Sequence, residues 1–164
     1  MSTPESPMLR SARSAGAAPA EPTIEMENVM KVFGDQVVLA DVNLAVEPGE
    51  IMVIMGGSGS GKSTMLRLMI GSLRPDGGTI RVLGQDLSTL DEEGMNALRL
   101  KIGILFQSGA LFNSMTVAEN VALPLQEHTN LPGNIIDITV KIKLELVGLR
   151  EHADKYPAQI SGGM

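Results

Sequence analysis

The stretch Gly56-Gly57-Ser58-Gly59-Ser60-Gly61-Lys62-Ser63 constrains this chain more than any other, because it fits the phosphate-binding pattern G-x-x-x-x-G-K-[ST]. Its flanks are those the pattern requires. Behind it, Ile51-Met52-Val53-Ile54-Met55 is an unbroken apolar run, which predicts a strand buried on both faces in a parallel sheet. Ahead of it, Met65, Leu66, Leu68 and Met69 recur at helical spacing and predict a helix from about Lys62. Each residue type has a separate reason to be there. Glycines at 56, 57, 59 and 61, with the small Ser58 and Ser60, let successive backbone N–H groups converge on phosphate oxygens where a larger side chain would obstruct them. The helix start adds unpaired N–H groups and partial positive charge. Lys62 supplies a full charge for the outer phosphates, and the Ser63 hydroxyl is a hard oxygen suited to Mg²⁺. Thr64 either adds a phosphate hydrogen bond or simply occupies the first helical turn.

Other glycine motifs fail on spacing. Lys62 and Thr64 stand where a third glycine of G-x-G-x-x-G would be needed, which removes the dinucleotide-fold and protein-kinase readings. Asp91-Glu92-Glu93-Gly94 matches the D-x-x-G of GTPases, but it follows a polar segment, and no N-K-x-D base-recognition sequence occurs. A net charge of −6, from 13 basic and 19 acidic residues, argues against a nucleic-acid partner held by bulk charge. With no cysteine there is no disulfide, thiolate metal site or thiol nucleophile. Apolar runs fall far short of the roughly 18 residues a membrane span needs.

The organisation along the chain is uneven. Residues 1–22, rich in Pro, Ser, Ala and Thr, read as a disordered tail rather than a targeting segment. Residues 23–107 read as a nucleotide-binding core. Short strands are predicted over 24–33, 37–40, 42–46 and 79–83. Thr89-x-x-Glu92 predicts a capping box for a helix running to about Leu100, and Ile102-Gly103-Ile104-Leu105-Phe106 a second buried strand. Gln107, at that strand's end, is placed either to reach a nucleotide's metal or attacking water, or to serve as an ordinary loop residue. Residues 108–164 read as a partial helical subdomain. Thr116-x-x-Glu119 caps one helix, and a second covers 135–147 with Ile135, Ile138, Ile142 and Leu146 on one face and Gly148 as its stop.

The loop at 56–63, the Phe106-Gln107 strand end, Thr116-Val117-Ala118-Glu119-Asn120-Val121 and the terminal Ile160-Ser161-Gly162-Gly163-Met164 resemble, in content and order, the segments of ABC-transporter ATPases. The last is similar to the family's L-S-G-G-Q signature, with Ile for Leu and Met for Gln. Within the family, the stretches 106–112 and 124–132 are similar to ATPase subunits of bacterial Mla-type phospholipid transporters. The resemblance covers residues 23–164. It implies an α/β P-loop NTPase core of ABC type, with an N-terminal β subdomain and the start of an α-helical subdomain. It also implies MgATP as ligand, with Phe33 stacking on adenine and Gln107 touching Mg²⁺ and the membrane partner. Ser161, Gly162 and Gly163 would contact the γ-phosphate held by the opposite subunit. The implied partners are a second ATPase subunit, a membrane permease and a lipid-carrying substrate-binding protein, with the chain on the cytoplasmic face of the inner membrane. The family's second acidic strand motif, its catalytic glutamate and its switch histidine have no counterpart in residues 1–164, so the C-terminal half of the core is missing and the expectation is ATP binding without self-sufficient hydrolysis. Two alternatives stay open: a non-hydrolytic nucleotide-binding or regulatory module, and another P-loop NTPase such as a small-molecule kinase.

Overall fold

The computed structural model describes residues 8–11, 21–106 and 109–164, and the chain divides into two compact units, 1–103 and 104–164. The division falls between Gly103 and Ile104 rather than after Gln107.

In the first unit, β2 (Ile24–Phe33) and β3 (Gln36–Val46) form a long antiparallel hairpin; β5 (Gly77–Val82) pairs with the other edge of β2, and β6 (Gln85–Asp86) closes the sheet in the order β3-β2-β5-β6. The two strands read separately at 37–40 and 42–46 are thus one. They are joined through Asp41, which sits at a left-handed φ of 52° opposite a register irregularity. Asn28 takes φ 50° at a second, neighbouring irregularity between Met26 and Val29 of β2, and its N–H donates to Asn43 Oδ1 at 2.9 Å. Asn and Asp tolerate this conformation better than other residues that carry a Cβ, so the bulges are written in the sequence at those two positions.

β4 (Met52–Met55) leads to helix α1 (Lys62–Met69). Met65, Leu68 and Met69 of α1 are buried against Met26, Val29, Leu39, Val42 and Leu44 of the sheet, with Ile80 and Val82 from β5. The spacing i, i+3, i+4 puts those three on one helix face. Leu66, counted with them in the sequence, is 56% exposed because it lies about 100° around the helix from Met65, at the flank of that face. Helix α2 (Glu92–Arg99) adds Leu98 to this core. Its N-cap is Asp91, whose carboxylate accepts from the Gly94 N–H at 2.8 Å, and not the expected Thr89. Asp91 stands next to the first helical residue, where its side chain reaches a free amide of the first turn.

Two expectations are corrected. β4 is not a parallel strand buried on both faces: it pairs antiparallel with β1 (Met8–Ser11), and its residues alternate, with Met52 and Ile54 packed on the core while Val53 and Met55 are exposed. The pairing also gives four residues of the expected tail a strand conformation, because an open strand edge is a template for any extended segment near it. The predicted strand at 102–106 is irregular, with Leu105 94% exposed, and among the described residues no strand pairs with it.

The second unit is built on α3 (Val117–His128) and α4 (Gly133–Leu146), followed by short 3-10 turns at Arg150–His152 and Pro157–Gln159. The expected capping box of α3 is present: the Thr116 hydroxyl accepts from Glu119 N–H at 3.2 Å, and Glu119 Oε2 accepts from Thr116 N–H at 2.6 Å. Val117 and Ala122 pack on Ile136, Val140 and Leu144 of α4. The α4 face that carries Ile135, Ile138, Ile142 and Leu146 is the exposed one, Ile138 being 52% and Leu146 74% exposed. This helix is apolar on nearly every side, so its pattern does not choose a face; contact with α3 does. Among the described residues no helix is long and apolar enough to cross a membrane.

Candidate functional site

The turn from β4 into α1 is rich in glycine and carries left-handed backbone. Gly59 and Gly61 take φ of 82° and 90°, and Gly61 is the N-cap of α1 with no side chain to cap it. The first amides of α1 therefore have no side-chain cap, which is the arrangement that draws an anion. A Cβ on Gly56 would stand 2.5 Å from Ser60 Oγ, so any larger residue there would require the Ser60 hydroxyl to move. Gly61 is tighter. A Cβ there would meet Leu39 Cδ2 at 2.7 Å and the Val38 carbonyl at 3.0 Å, so the loop's last glycine lies directly on β3.

Lys62 folds back over the loop. Its ammonium donates to the carbonyls of Gly56 at 2.8 Å and Gly57 at 2.7 Å, and to Ser60 Oγ at 3.3 Å. A cation held by two neutral carbonyls beside the start of α1 is poised for exchange onto an anion, whose charge-assisted bonds are stronger. Ser63 is exposed in the first turn of α1, and Thr64 is half-buried beside it; Gly57 and Ser58 are exposed in the loop. The residues fit a phosphate chain. They also fit Mg²⁺ in the way that ion prefers, through a single protein hydroxyl plus phosphate and water oxygens. Among the described residues no group of three or more His, Cys, Asp or Glu is arranged to hold a metal by itself.

Phe33 closes β2, 47% exposed, opposite Gln36 at the hairpin turn. Lys31 pairs with Leu39 and Val32 with Val37, so the end of the hairpin that carries Phe33 flanks the segment of β3 on which Gly61 rests. Sequence reasoning missed the two residues that fix this end. Asp76, in the turn before β5, accepts from Lys31 Nζ at 3.0 Å through one oxygen and from Val32 N–H at 2.7 Å through the other. Those bonds hold the Asp76 carboxyl below its ordinary pKa, the Val32 amide contributing most and the Lys31 ammonium next. The only sequence signals were a lysine two residues before the aromatic and an aspartate in a Pro-Asp-Gly turn.

Gln107, expected at the metal, lies outside the described residues. Ser161, Gly162 and Gly163 fall in the second unit, exposed, in a turn where Met164 N–H donates to Ser161 O at 2.9 Å. Asn120 has a role the sequence did not announce. Its amide donates to the carbonyls of Phe112, Met115 and Thr116 and its oxygen accepts from Phe112 N–H, tying the loop before α3 to that helix.

The chain is 46% identical over 141 residues to the intermembrane phospholipid transport system ATP-binding protein MlaF of Haemophilus influenzae, covering 86% of this chain and 53% of that protein. It is 42% identical over 149 residues to the probable ribonucleotide transport ATP-binding protein mkl of Mycobacterium leprae, covering 91% of this chain and 43% of that one. The chain thus spans about half the length of the curated relatives it matches. Among solved structures, the dimeric post-hydrolysis state of the ATP-binding cassette MJ0796 bound to ADP and Pi superposes with a TM-score of 0.75 at 32% identity, over 85% of this chain and 64% of that one. Residues 39–164 match the family described as ABC transporter, and the chain belongs to that family.

Proposed function

We propose that residues 56–64 bind the phosphates of ATP with Mg²⁺, and that the chain is the nucleotide-binding part of a transporter that moves phospholipid between bacterial membranes. The observation that carries the nucleotide reading is the Lys62 ammonium, held inside a glycine loop at the uncapped start of a helix. In this reading Lys62 leaves the Gly56 and Gly57 carbonyls for the outer phosphates, Ser63 gives its hydroxyl to Mg²⁺, and Thr64 adds a phosphate bond. The loop amides surround the oxygens. Mg²⁺, when bound, neutralises phosphate charge and orients the chain of phosphates. Phe33 stacks on the adenine, Gln107 completes the metal's surroundings, and Ser161, Gly162 and Gly163 serve the nucleotide of a second ATPase subunit.

The cargo reading is supported by the name of the MlaF relative, which is more similar to this chain than the mkl protein whose name specifies ribonucleotide transport. A permease in the inner membrane would hold the chain at its cytoplasmic face, and a lipid-carrying protein would supply the cargo.

Calorimetric titration of MgATP into the chain and into Lys62→Ala tests the nucleotide reading. One charged hydrogen-bond donor to phosphate contributes about 2 kcal/mol, so the variant is expected to bind about thirtyfold more weakly. Equal affinity in two well-folded proteins would remove Lys62, and the loop reading with it.

A further inference from the structure

We infer that Lys31 and Asp76 are a positioning pair that holds the Phe33 ring in place as a platform for the nucleotide base; this rests on the reading of Phe33 as the base-stacking aromatic. Lys31 is 9% exposed, and covering a charged side chain to this degree carries a desolvation cost that an apolar side chain of similar length would avoid. Asp76 answers only part of that cost, because it also holds Val32 N–H, and its own N–H donates to the Met30 carbonyl at 2.9 Å. These three bonds fix the last residues of β2 as they approach the turn.

What Lys31 does that a methionine could not is place a positive charge on an aromatic face. Its Nζ stands 5.4 Å from the centroid of the Phe33 ring, within the range where a cation and a π-face attract. Lys31 and Phe33 are two residues apart at the irregular end of β2, where the register with β3 shifts on either side of Lys31, and the contact is made there. One carboxylate therefore sets the backbone of Val32 directly and the ring of Phe33 through Lys31. The ring keeps 47% of its surface exposed, at the hairpin end beside the segment that supports Gly61. A ring held beforehand spares a bound base the entropy of ordering it.

The pair acts on the base and not on the phosphates, which makes it separable from a merely structural role. MgATP and magnesium tripolyphosphate would each be titrated into the 164-residue chain and into Phe33→Ala, Lys31→Met, Lys31→Arg and Asp76→Asn, with circular dichroism as a check of folding. Lys31→Met is expected to weaken ATP about fivefold, the size of a partly exposed cation–π contact, and to leave tripolyphosphate unchanged. Lys31→Arg is expected to restore ATP binding, and Asp76→Asn, at an exposed position, to reproduce the selective loss in part. Selective loss in Phe33→Ala with none in Lys31→Met or Asp76→Asn overturns the positioning role and leaves the stacking reading intact. No selective loss in Phe33→Ala overturns the stacking reading and the pair with it. Equal weakening of both ligands in Lys31→Met and Asp76→Asn means that the pair only supports the fold, and overturns the inference.

Discussion

At Gly61 two requirements meet in one residue: φ is 90°, and the space for a Cβ is already taken by Leu39 Cδ2 and the Val38 carbonyl. Left-handed backbone costs a residue with a Cβ about 1 kcal/mol, and forcing a methyl against a strand backbone costs at least as much again. Gly61→Ala is therefore expected to lose about 2 kcal/mol of stability, read as a lower urea midpoint, along with nucleotide binding. Gly57→Ala is the control for stability alone, since nothing lies within 4 Å of a Cβ there and its φ is ordinary. Similar losses in both variants would mean that β3 yields to the added methyl. The glycine turn into α1 was legible in the sequence because its residues are consecutive and its conformation is local. The clamp of Lys31 and Asp76 was not, because the partners are 45 positions apart and meet only through the register of β2 on β5.

At the scale of elements, caps were read well where the side chain and its target are both unambiguous. Thr116 and Glu119 satisfy each other's backbone amides, and Asn120 ties the preceding loop to the same turn. For α2 the expected cap was Thr89, but Asp91, directly before the first helical residue, is the one that caps; the Thr89 hydroxyl donates instead to the Asp86 carbonyl at 2.8 Å. Removing an N-cap side chain costs about 1 kcal/mol. Thr116→Ala and Asp91→Ala are each expected to show that loss by urea unfolding at unchanged slope, while Thr89→Ala stays close to the parent. A Thr89→Ala loss as large as that of Asp91→Ala would return the cap to the threonine. Helix α4 marks the limit of pattern reading. Ile135, Ile136, Ile138, Val140, Ile142 and Leu144 spread apolar surface around the cylinder, and the buried set, Ile136, Val140 and Leu144, is chosen by what α3 presents.

Across the whole molecule, the apolar runs that read as doubly buried strands are the segments whose surroundings depart most from expectation. Met52 and Ile54 of β4 face the first core, while Ile51, Val53 and Met55 are 79%, 50% and 45% exposed. An apolar run carries no alternation, so the sequence could not say that only one face would be covered. Exposed apolar side chains along one face of a strand, with a single paired edge among the described residues, favour pairing between copies of the chain. Sedimentation velocity at rising protein concentration is expected to show self-association, and Val53→Glu to suppress it, because a charge on the outward face resists burial against another chain. Ile54→Glu places the same charge toward the core and is expected to unfold the first unit instead, by several kcal/mol. The two substitutions are adjacent in sequence and differ only in the face they occupy. Val53→Glu associating as the parent does would show that β4 is not the surface through which copies meet, and equal unfolding by both would mean that Val53 is covered in solution.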